Sequence, residues 1–104
     1  MVMKIYCFDL DETLCTTVGD DYGSAVGKVT RINKVNSLYE LGHVIKIYTA
    51  RGSKTGIDWR SLTESQLAKW GVRYHELHFG KPFADLYIDD KGVSDIDFFE
   101  ETPR

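Results

Sequence analysis

Cysteine is scarce in this chain: Cys7 and Cys15 are the only two among 104 residues. Two cysteines do not make a disulfide framework, and Cys7 lies in an apolar run, where a reduced thiol behaves as a small hydrophobic group. Both features favour a reducing compartment. Residues 1–4 lead directly into that run and leave no room for a signal peptide, so we expect a cytoplasmic protein.

Long apolar runs and an excess of basic residues are also missing. No segment approaches the roughly 18 consecutive apolar residues of a transmembrane helix, so we expect no membrane partner. The 13 Lys and Arg residues are outnumbered by 16 Asp and Glu residues, which gives a net charge of −3. A chain without a basic field does not drive counterion release from phosphates, so we do not expect nucleic acid as a partner.

The residues that are present predict a single α/β domain over residues 1–104. Two buried strands are predicted by the apolar runs 4–8 and 44–48. Helices are predicted over 28–41 and over 58–70, where Asp58 is a candidate N-cap. The apolar face of the first helix is formed by Val29, Ile32, Val35, Leu38 and Leu41, and that of the second by Trp59, Leu62, Leu67 and Trp70.

The remaining segments complete the predicted order β-α-β-α-β-β. Short strands are predicted at 74–79 and 86–88, segment 15–27 is a loop or a short hairpin, and 93–99 is a turn with a short strand or helical turn. This order predicts a Rossmann-like domain, with a mainly parallel central sheet flanked by helices. The connection between the last two strands is short for a parallel crossover, so either these strands are not neighbours or the third is wrongly assigned.

Polar, reactive residues follow four of the predicted strands. They are Asp9–Thr13, Thr49–Arg51, Lys81 and Asp89–Asp90. The carboxyl ends of parallel strands share one edge, where ligands of such sheets bind, so these residues are expected to converge. Four carboxylates that lie close together repel one another unless protons or a cation are present, and hard oxygen ligands beside a phosphate site favour Mg²⁺.

The other residues at this edge suit a phosphoryl group. Lys81 can neutralise its charge, and the Thr49 hydroxyl can donate a hydrogen bond to a phosphoryl oxygen. Backbone N–H groups in the turn after Asp9 can form a small anion nest.

This set of residues resembles the four ordered motifs of the haloacid dehalogenase superfamily of phosphatases. Its first motif, Asp-x-Asp-x-Thr, is similar to Asp9–Thr13, and its second, a Ser or Thr that closes a strand, to Thr49. The third motif is a Lys, here Lys81, and the fourth is an acidic pair, here Asp89–Asp90. The segments Tyr48–Gly52 and His78–Pro82 are similar to those of short capless phosphatases associated with capsule and surface-polysaccharide biosynthesis.

The resemblance implies a role for each residue. Asp9 is the nucleophile that carries an aspartyl-phosphate, and Asp11 protonates the leaving group and then activates water. Mg²⁺ is bound by Asp9, the backbone carbonyl of Asp11 and Asp89, while Asp90 holds Lys81 or a metal-bound water. The residues implied in phosphate or substrate binding are Leu10, Thr13, Ala50, Arg51 and Lys81.

The spacing of the motifs leaves no room for a cap domain. The resemblance therefore implies a capless enzyme in which a short flap after strand one, within 15–27, and the 51–56 loop shape the site. Subunits of a homo-oligomer, a dimer or a tetramer, are an alternative source of that shape. Arg51 is interpreted either as a contact of the substrate or as an ion-pair partner of an acidic residue in the flap.

Several functions are compatible with these residues. The first is a magnesium-dependent phosphomonoester hydrolase acting on a small phosphorylated substrate such as a sugar phosphate. A nucleotide or polynucleotide-end phosphatase uses the same chemistry. The alternatives outside catalysis are a degenerate phosphate binder and a phosphorelay receiver-like domain, in which the acidic pair closes the first strand rather than the last.

Overall fold

The structure of the protein is a computed structural model that describes residues 2–80, 84–89 and 93–101. Within these ranges no helix is long and apolar enough to cross a membrane. The elements in chain order are β1 (Ile5–Asp9), β2 (Cys15–Val18), β3 (Asp21–Gly27), α1 (Val29–Glu40), β4 (Val44–Tyr48), α2 (Arg60–Lys69), β5 (Glu76–His78), β6 (Leu86–Asp89), β7 (Val93–Ser94) and α3 (Asp95–Phe99).

Five strands form one sheet in the order β5-β4-β1-β6-β7, and each neighbouring pair is parallel. The predicted α/β class with a mainly parallel sheet is therefore confirmed. β5 and β6 lie on opposite sides of the β4–β1 pair. The two strands joined by the short connection are thus not neighbours, which resolves the difficulty that the sequence posed.

One face of the sheet carries the hydrophobic core. Tyr6 and Phe8 of β1 are registered with Ile45 and Ile47 of β4, and alternate residues of a strand share a face. Ile88 of β6 pairs with Phe8 on the other side. The three described helices contribute to the same cluster through Ile32 and Val35 of α1, Leu67 of α2, and Phe98 and Phe99 of α3.

Helix α1 is one residue shorter at each end than predicted, and its buried face differs. Ile32 and Val35 are buried as expected, but Val29 is 70% exposed and Leu41 is 55% exposed. Arg31 is buried instead, because its guanidinium forms an ion pair with the buried Asp95 of α3. An ion pair across two helices leaves no apolar signal in the sequence, which is why the pattern misplaced the ends of this face.

Helix α2 also begins later than predicted. Asp58 is not its N-cap residue; Trp59 holds that position, and the Asp58 carboxylate accepts a hydrogen bond from the Arg60 N–H at 2.9 Å. The fully or nearly buried residues of the helix are Thr63, Gln66 and Leu67. Two of these three are polar, so this helix buries a polar strip that the apolar pattern did not predict.

Of the two interpretations of 15–27, the hairpin is confirmed. β2 and β3 pair antiparallel, apart from the main sheet. The base of the hairpin is fixed by a hydrogen bond from the Lys28 N–H to the Leu14 carbonyl at 2.8 Å and by close packing of Gly27 on Trp70. The 93–99 segment forms both the short strand β7 and the short helix α3.

Candidate active site

Three predicted site residues lie at the carboxyl ends of adjacent strands. Asp9 ends β1, Thr49 follows β4, and Asp89 ends β6. The Leu10 N–H bonds to the Tyr48 carbonyl at 3.0 Å, so the pairing of β1 with β4 extends past Asp9. The sheet therefore brings residues that are 80 positions apart in the sequence to one edge.

The turn after Asp9 is held by a single carbonyl group. The Leu10 carbonyl accepts hydrogen bonds from the N–H groups of Thr13, Leu14 and Cys15 at 3.3, 2.9 and 3.2 Å. Glu12 adopts a left-handed conformation with φ of 68°, which is uncommon for a residue with a side chain and is often found at functional sites. This tight turn fixes the Asp11 side chain over the end of the sheet.

The Asp11 carboxylate accepts hydrogen bonds from four side chains. Arg51 donates to both oxygens at 2.9 to 3.3 Å, Thr17 donates at 2.7 Å, Thr49 donates at 3.2 Å, and the Cys15 thiol donates at 3.6 Å. Burial by itself raises the pKa of Asp11, but the hydrogen bonds from Arg51 and Thr17 and the charge of Arg51 outweigh it, so the pKa lies below its usual value. Asp11 is therefore ionised in the substrate-free protein at neutral pH.

The Arg51 side chain is fully buried and connects three parts of the chain. Besides Asp11 of the first motif, it donates to Thr63 at 3.1 Å and to Gln66 at 2.6 Å, both on α2. Its guanidinium lies 4.7 Å from the ring centre of Tyr22 on β3, and Gln66 donates to the Tyr22 carbonyl. The interpretation of Arg51 as the partner of a flap acid is thus wrong, since its carboxylate partner belongs to the first motif; a role in substrate binding stays a prediction.

Asp9 and Asp89 end the neighbouring strands β1 and β6 at this edge of the sheet. The half-buried Asp9 accepts a hydrogen bond from the Leu10 N–H at 2.9 Å. The Tyr48 hydroxyl donates to Asp89, which is 6% exposed. Burial, followed by that hydrogen bond and the charge of Asp9, raises the pKa of Tyr48 far above its usual value, so the hydroxyl keeps its proton and stays a donor.

Asp9 and Asp89 fit part of a magnesium site. They follow Phe8 and Ile88, which are paired on adjacent strands, so both side chains leave the same face of the sheet. Proteins often hold Mg²⁺ with one or two carboxylates together with waters and phosphate oxygens. Within the described ranges, no group of three or more His, Cys, Asp or Glu side chains that could hold a metal is found, and Arg51 occupies the Asp11 carboxylate. The Asp11 backbone carbonyl, as the resemblance implies, is the ligand that this arrangement leaves open.

Two clefts open at this edge and share Ala50 and Arg51. The first, of about 450 Å³, contains Asp9 and Asp11 together with Thr17 and Tyr22 of the hairpin. The second, of about 580 Å³, runs from Tyr48 and Thr49 along the 51–59 loop to Phe79. A group bound at Asp9 can therefore extend into a second, larger space.

The other predicted site residues differ in their exposure, and two of them lie outside the described residues. Leu10 and Thr13 are buried, and the Thr13 carbonyl accepts a hydrogen bond from Arg31, whereas Ala50 is exposed between the two clefts. Lys81 and Asp90 lie outside the described residues. The binding roles of all five stay predictions.

The sequence did not point to three side chains that build the site: Thr17, Thr63 and Gln66. Thr63 and Gln66 carried a usable signal, because polar residues three positions apart interrupt the apolar face of α2. Thr17 lies on the hairpin and carried none, whereas Tyr22 lies within the flap that was expected to shape the site. Cys15 is fully buried, and this burial raises its pKa to about 11, so its thiol is unreactive at neutral pH.

Fold and site together define a small α/β protein with a carboxylate-rich cleft at the carboxyl edge of a parallel sheet. No model of a known family and no curated protein matches the chain. The chain is similar to the crystal structure of an MCSG target protein from Vibrio cholerae, with 30% sequence identity and a TM-score of 0.74 over 96% of this chain and 90% of that one. This chain belongs to the same family as that protein, and the similarity extends to the fold and carries no activity with it.

Proposed function

We propose that this protein is a magnesium-dependent phosphomonoester hydrolase that works through an aspartyl-phosphate on Asp9. The observation that carries the proposal is the convergence of Asp9, Asp11, Thr49 and Asp89 at one sheet edge. Their order along the chain is that of the haloacid dehalogenase motifs. In this proposal the domain is Rossmann-like and capless, and the β2–β3 hairpin is the flap.

The reaction proceeds in two displacements at phosphorus. A carboxylate oxygen of Asp9 attacks, the bond from phosphorus to the leaving oxygen breaks, and that oxygen takes a proton from Asp11. Water then attacks the phosphorus of the acyl phosphate and gives a proton to Asp11, which releases phosphate and regenerates Asp9. In this proposal the Thr49 hydroxyl, which lies 3.2 Å from Asp11 in the substrate-free protein, orients the phosphoryl group.

When bound by Asp9, Asp89 and the Asp11 carbonyl, Mg²⁺ supplies positive charge that offsets the repulsion between the nucleophile and the phosphate. Tyr48 supports this arrangement, because its hydroxyl donates a hydrogen bond to Asp89 and holds that carboxylate in position.

Asp11 must gain a proton before it can act as the acid. In the substrate-free protein it is ionised and paired with Arg51. A phosphate that enters the cleft brings negative charge close to Asp11 and offers new acceptors to the Arg51 N–H groups. Both effects raise the pKa of Asp11, so substrate binding and proton uptake are coupled in this proposal.

The test is release of phosphate from a panel of phosphomonoesters with Mg²⁺, with and without EDTA. We expect Asp9→Asn to reduce turnover on the order of 10³-fold or more, because the nucleophile is lost. The matched control is Asp97→Asn, which alters an exposed acid on α3. Equal turnover by Asp9→Asn and the unaltered protein would exclude the mechanism.

A second readout separates hydrolysis from the receiver-like alternative. With acetyl phosphate as donor, a phosphatase releases phosphate continuously, whereas a receiver-like domain accumulates a stable acyl phosphate. In the phosphatase we expect labelled phosphoprotein to accumulate in Asp11→Asn, since its second step lacks a base, and to be absent in Asp9→Asn.

A further inference from the structure

The larger cleft lies next to the cleft of the proposed phosphate site. Tyr48 and Thr49 form its inner end, and it shares Ala50 and Arg51 with the cleft that contains Asp9 and Asp11. The leaving group of a phosphoryl group held between Asp9 and Thr49 can therefore lie in this neighbouring space. Its volume of about 580 Å³ lies within the range of ordinary small-molecule sites.

Aromatic and aliphatic side chains form the outer walls of this cleft. Trp59 and Ile57 lie on the loop side, and Phe79 lies at the end of β5. Phe79 is 38% exposed and Ile57 is 54% exposed, so both present apolar surface to a ligand. The described surface thus offers flat hydrophobic walls beside a phosphate site.

These walls are fixed in position by specific contacts. The Trp59 ring packs edge-on against Tyr22 with 5.0 Å between ring centres, and the Arg60 guanidinium lies 4.8 Å from the Phe79 ring centre. Gly52 has φ of +81°, and a Cβ built there would lie 2.2 Å from the Ile57 carbonyl oxygen. Only glycine lets the loop fold back this closely, so the shape of the wall depends on that residue.

Among the residues that the structure describes, few polar side chains line the cleft. Thr49 and Arg51 serve the phosphate end, and Ser53 and Asp58 are the polar side chains described in the outer part. A hexose phosphate presents several hydroxyl groups, and each loses hydrogen bonds to water if it enters an apolar site unpaired. A planar aromatic base loses less, because its faces stack on aromatic rings and its edge needs one or two polar partners.

We infer that the leaving group is a nucleoside, and that nucleoside monophosphates are the substrate class of this site. The inference rests on the proposed phosphatase function and narrows it. It departs from the sugar phosphate implied by the resemblance to polysaccharide-pathway phosphatases. The inference also favours a free mononucleotide over a polynucleotide end as the substrate. A chain with a net charge of −3 does not attract the additional phosphates of a polymer.

The test compares substrates that differ only in the base. AMP and ribose 5-phosphate carry the same sugar and the same phosphate, so the ratio of their kcat/KM values isolates the contribution of the base. Stacking on one or two aromatic rings predicts a preference for AMP of about tenfold or more. Glucose 6-phosphate tests the hypothesis that the substrate is a sugar phosphate. A 5′-phosphorylated oligonucleotide tests the hypothesis that the substrate is a polynucleotide end.

The variant Phe79→Ala removes one wall, and we expect it to lower the AMP to ribose 5-phosphate ratio about tenfold. Leu41→Ala is the matched control, because Leu41 is an exposed apolar residue beyond the end of α1. Binding of AMP to Asp9→Asn, measured by calorimetry, gives a readout that needs no catalysis.

The outcomes separate the two proposals. Turnover of ribose 5-phosphate or glucose 6-phosphate equal to that of AMP, or a ratio unchanged in Phe79→Ala, overturns the nucleoside inference and leaves the phosphatase intact. A preference for the oligonucleotide also overturns it. If no compound is hydrolysed while Asp9→Asn binds AMP and not ribose 5-phosphate, the phosphatase proposal fails and the base-binding cleft stands.

Discussion

Arg51 carries a positive charge on a fully buried side chain, and its carboxylate partner is Asp11, which is 24% exposed. Isolated charges are costly to bury, so each of the two depends on the other. Thr63 and Gln66 accept hydrogen bonds from Nη1 of the same guanidinium. The pair therefore serves two purposes: it stabilises the fold, and it holds the proposed proton donor in one orientation.

We predict that Arg51→Gln destabilises the protein by about 3 kcal/mol at pH 7, because it leaves Asp11 without its counter-charge. The folded-state pKa of Asp11 lies below its usual value of 3.8, so the pair contributes stability above that pH and loses it as the pH falls through the lowered pKa. The difference between variant and wild type should therefore shrink when urea unfolding is repeated at progressively lower pH.

The matched control for this measurement is Arg60→Gln. Arg60 pairs with Glu64 at 3.8 Å on the exposed side of α2, and such surface pairs are worth under about 1 kcal/mol. A loss in Arg51→Gln as small as that in the control, or one that does not change with pH, contradicts the role assigned to the pair.

The sequence identified Asp11 and Arg51 separately but not their contact. Asp9, Thr49 and Asp89 were expected together because the carboxyl ends of parallel strands share an edge, and that rule holds whatever the side chains do. The contact between Asp11 and Arg51 depends on the turn at 10–15 and on the packing of α2. Neither can be deduced from the residues themselves, so one of the two interpretations of Arg51 looked for its acidic partner in the flap.

At the scale of elements, the β2–β3 hairpin links the cleft that contains Asp9 and Asp11 to the rest of the fold. Thr17 on β2 bonds to Asp11, and Tyr22 on β3 contacts both Arg51 and Trp59. Its base rests on Trp70, at the end of α2, through Gly27. Displacement of the base therefore moves residues that line both clefts.

We predict that Gly27→Ala destabilises the protein by about 1–3 kcal/mol, because the added methyl group overpacks a filled site. A Cβ at Gly27 would lie 2.9 Å from Trp70 and 3.1 Å from Ile32. Thermal unfolding by circular dichroism measures the loss, and phosphate release shows whether the hairpin has shifted.

The same strand offers a matched control in Gly23→Ala. Nothing lies within 4 Å of a Cβ at Gly23, and its φ is not positive, so we expect a change within about 0.5 kcal/mol. If the two alanine variants unfold alike, close packing at Gly27 does not position the hairpin.

The apolar pattern predicted the bounds of the helices and strands more accurately than it predicted which of their residues are buried. The second strand was predicted with the bounds observed for β4, and the predicted helices differ from α1 and α2 by one or two residues at their ends. The hairpin could not be separated from a loop, because Gly19, Gly23 and Gly27 weaken any alternating pattern. Thr63 and Gln66 were missed since their burial depends on Arg51, which lies outside the helix.

At the scale of the whole molecule, Arg31 joins segments from the two ends of the chain. It donates to the Thr13 carbonyl at 3.0 Å and to the buried Asp95 at 2.8 Å, and it forms an ion pair with Glu101. The hydrogen bond from Arg31, which outweighs the small effect of burial, lowers the pKa of Glu101. Through Arg31 the turn of the first motif is tied to α3 and the segment after it.

We predict that Arg31→Met is among the most destabilising substitutions outside the cleft, with a loss of about 3 kcal/mol or more. The substitution keeps an apolar stem of similar length but leaves Asp95 buried without its counter-charge. For a domain with a total stability of about 5–15 kcal/mol, such a loss is large enough to measure by urea unfolding at moderate temperature.

A double-mutant cycle distinguishes lost charge pairing from lost packing. Asp95→Asn removes the charge but keeps the shape, so the double variant with Arg31→Met has neither the guanidinium nor the buried carboxylate charge that it faced. We expect the double variant to be more stable than the sum of the two single losses implies, with a coupling of about 1–3 kcal/mol. If the losses add, the contribution of Arg31 lies in packing against Phe99, whose ring centre is 5.0 Å from its guanidinium. A coupling of the expected size instead means that charges from α1 and α3 fix the turn that presents Asp9 and Asp11, so the Arg31→Met protein should lose more phosphate release than its unfolded fraction accounts for.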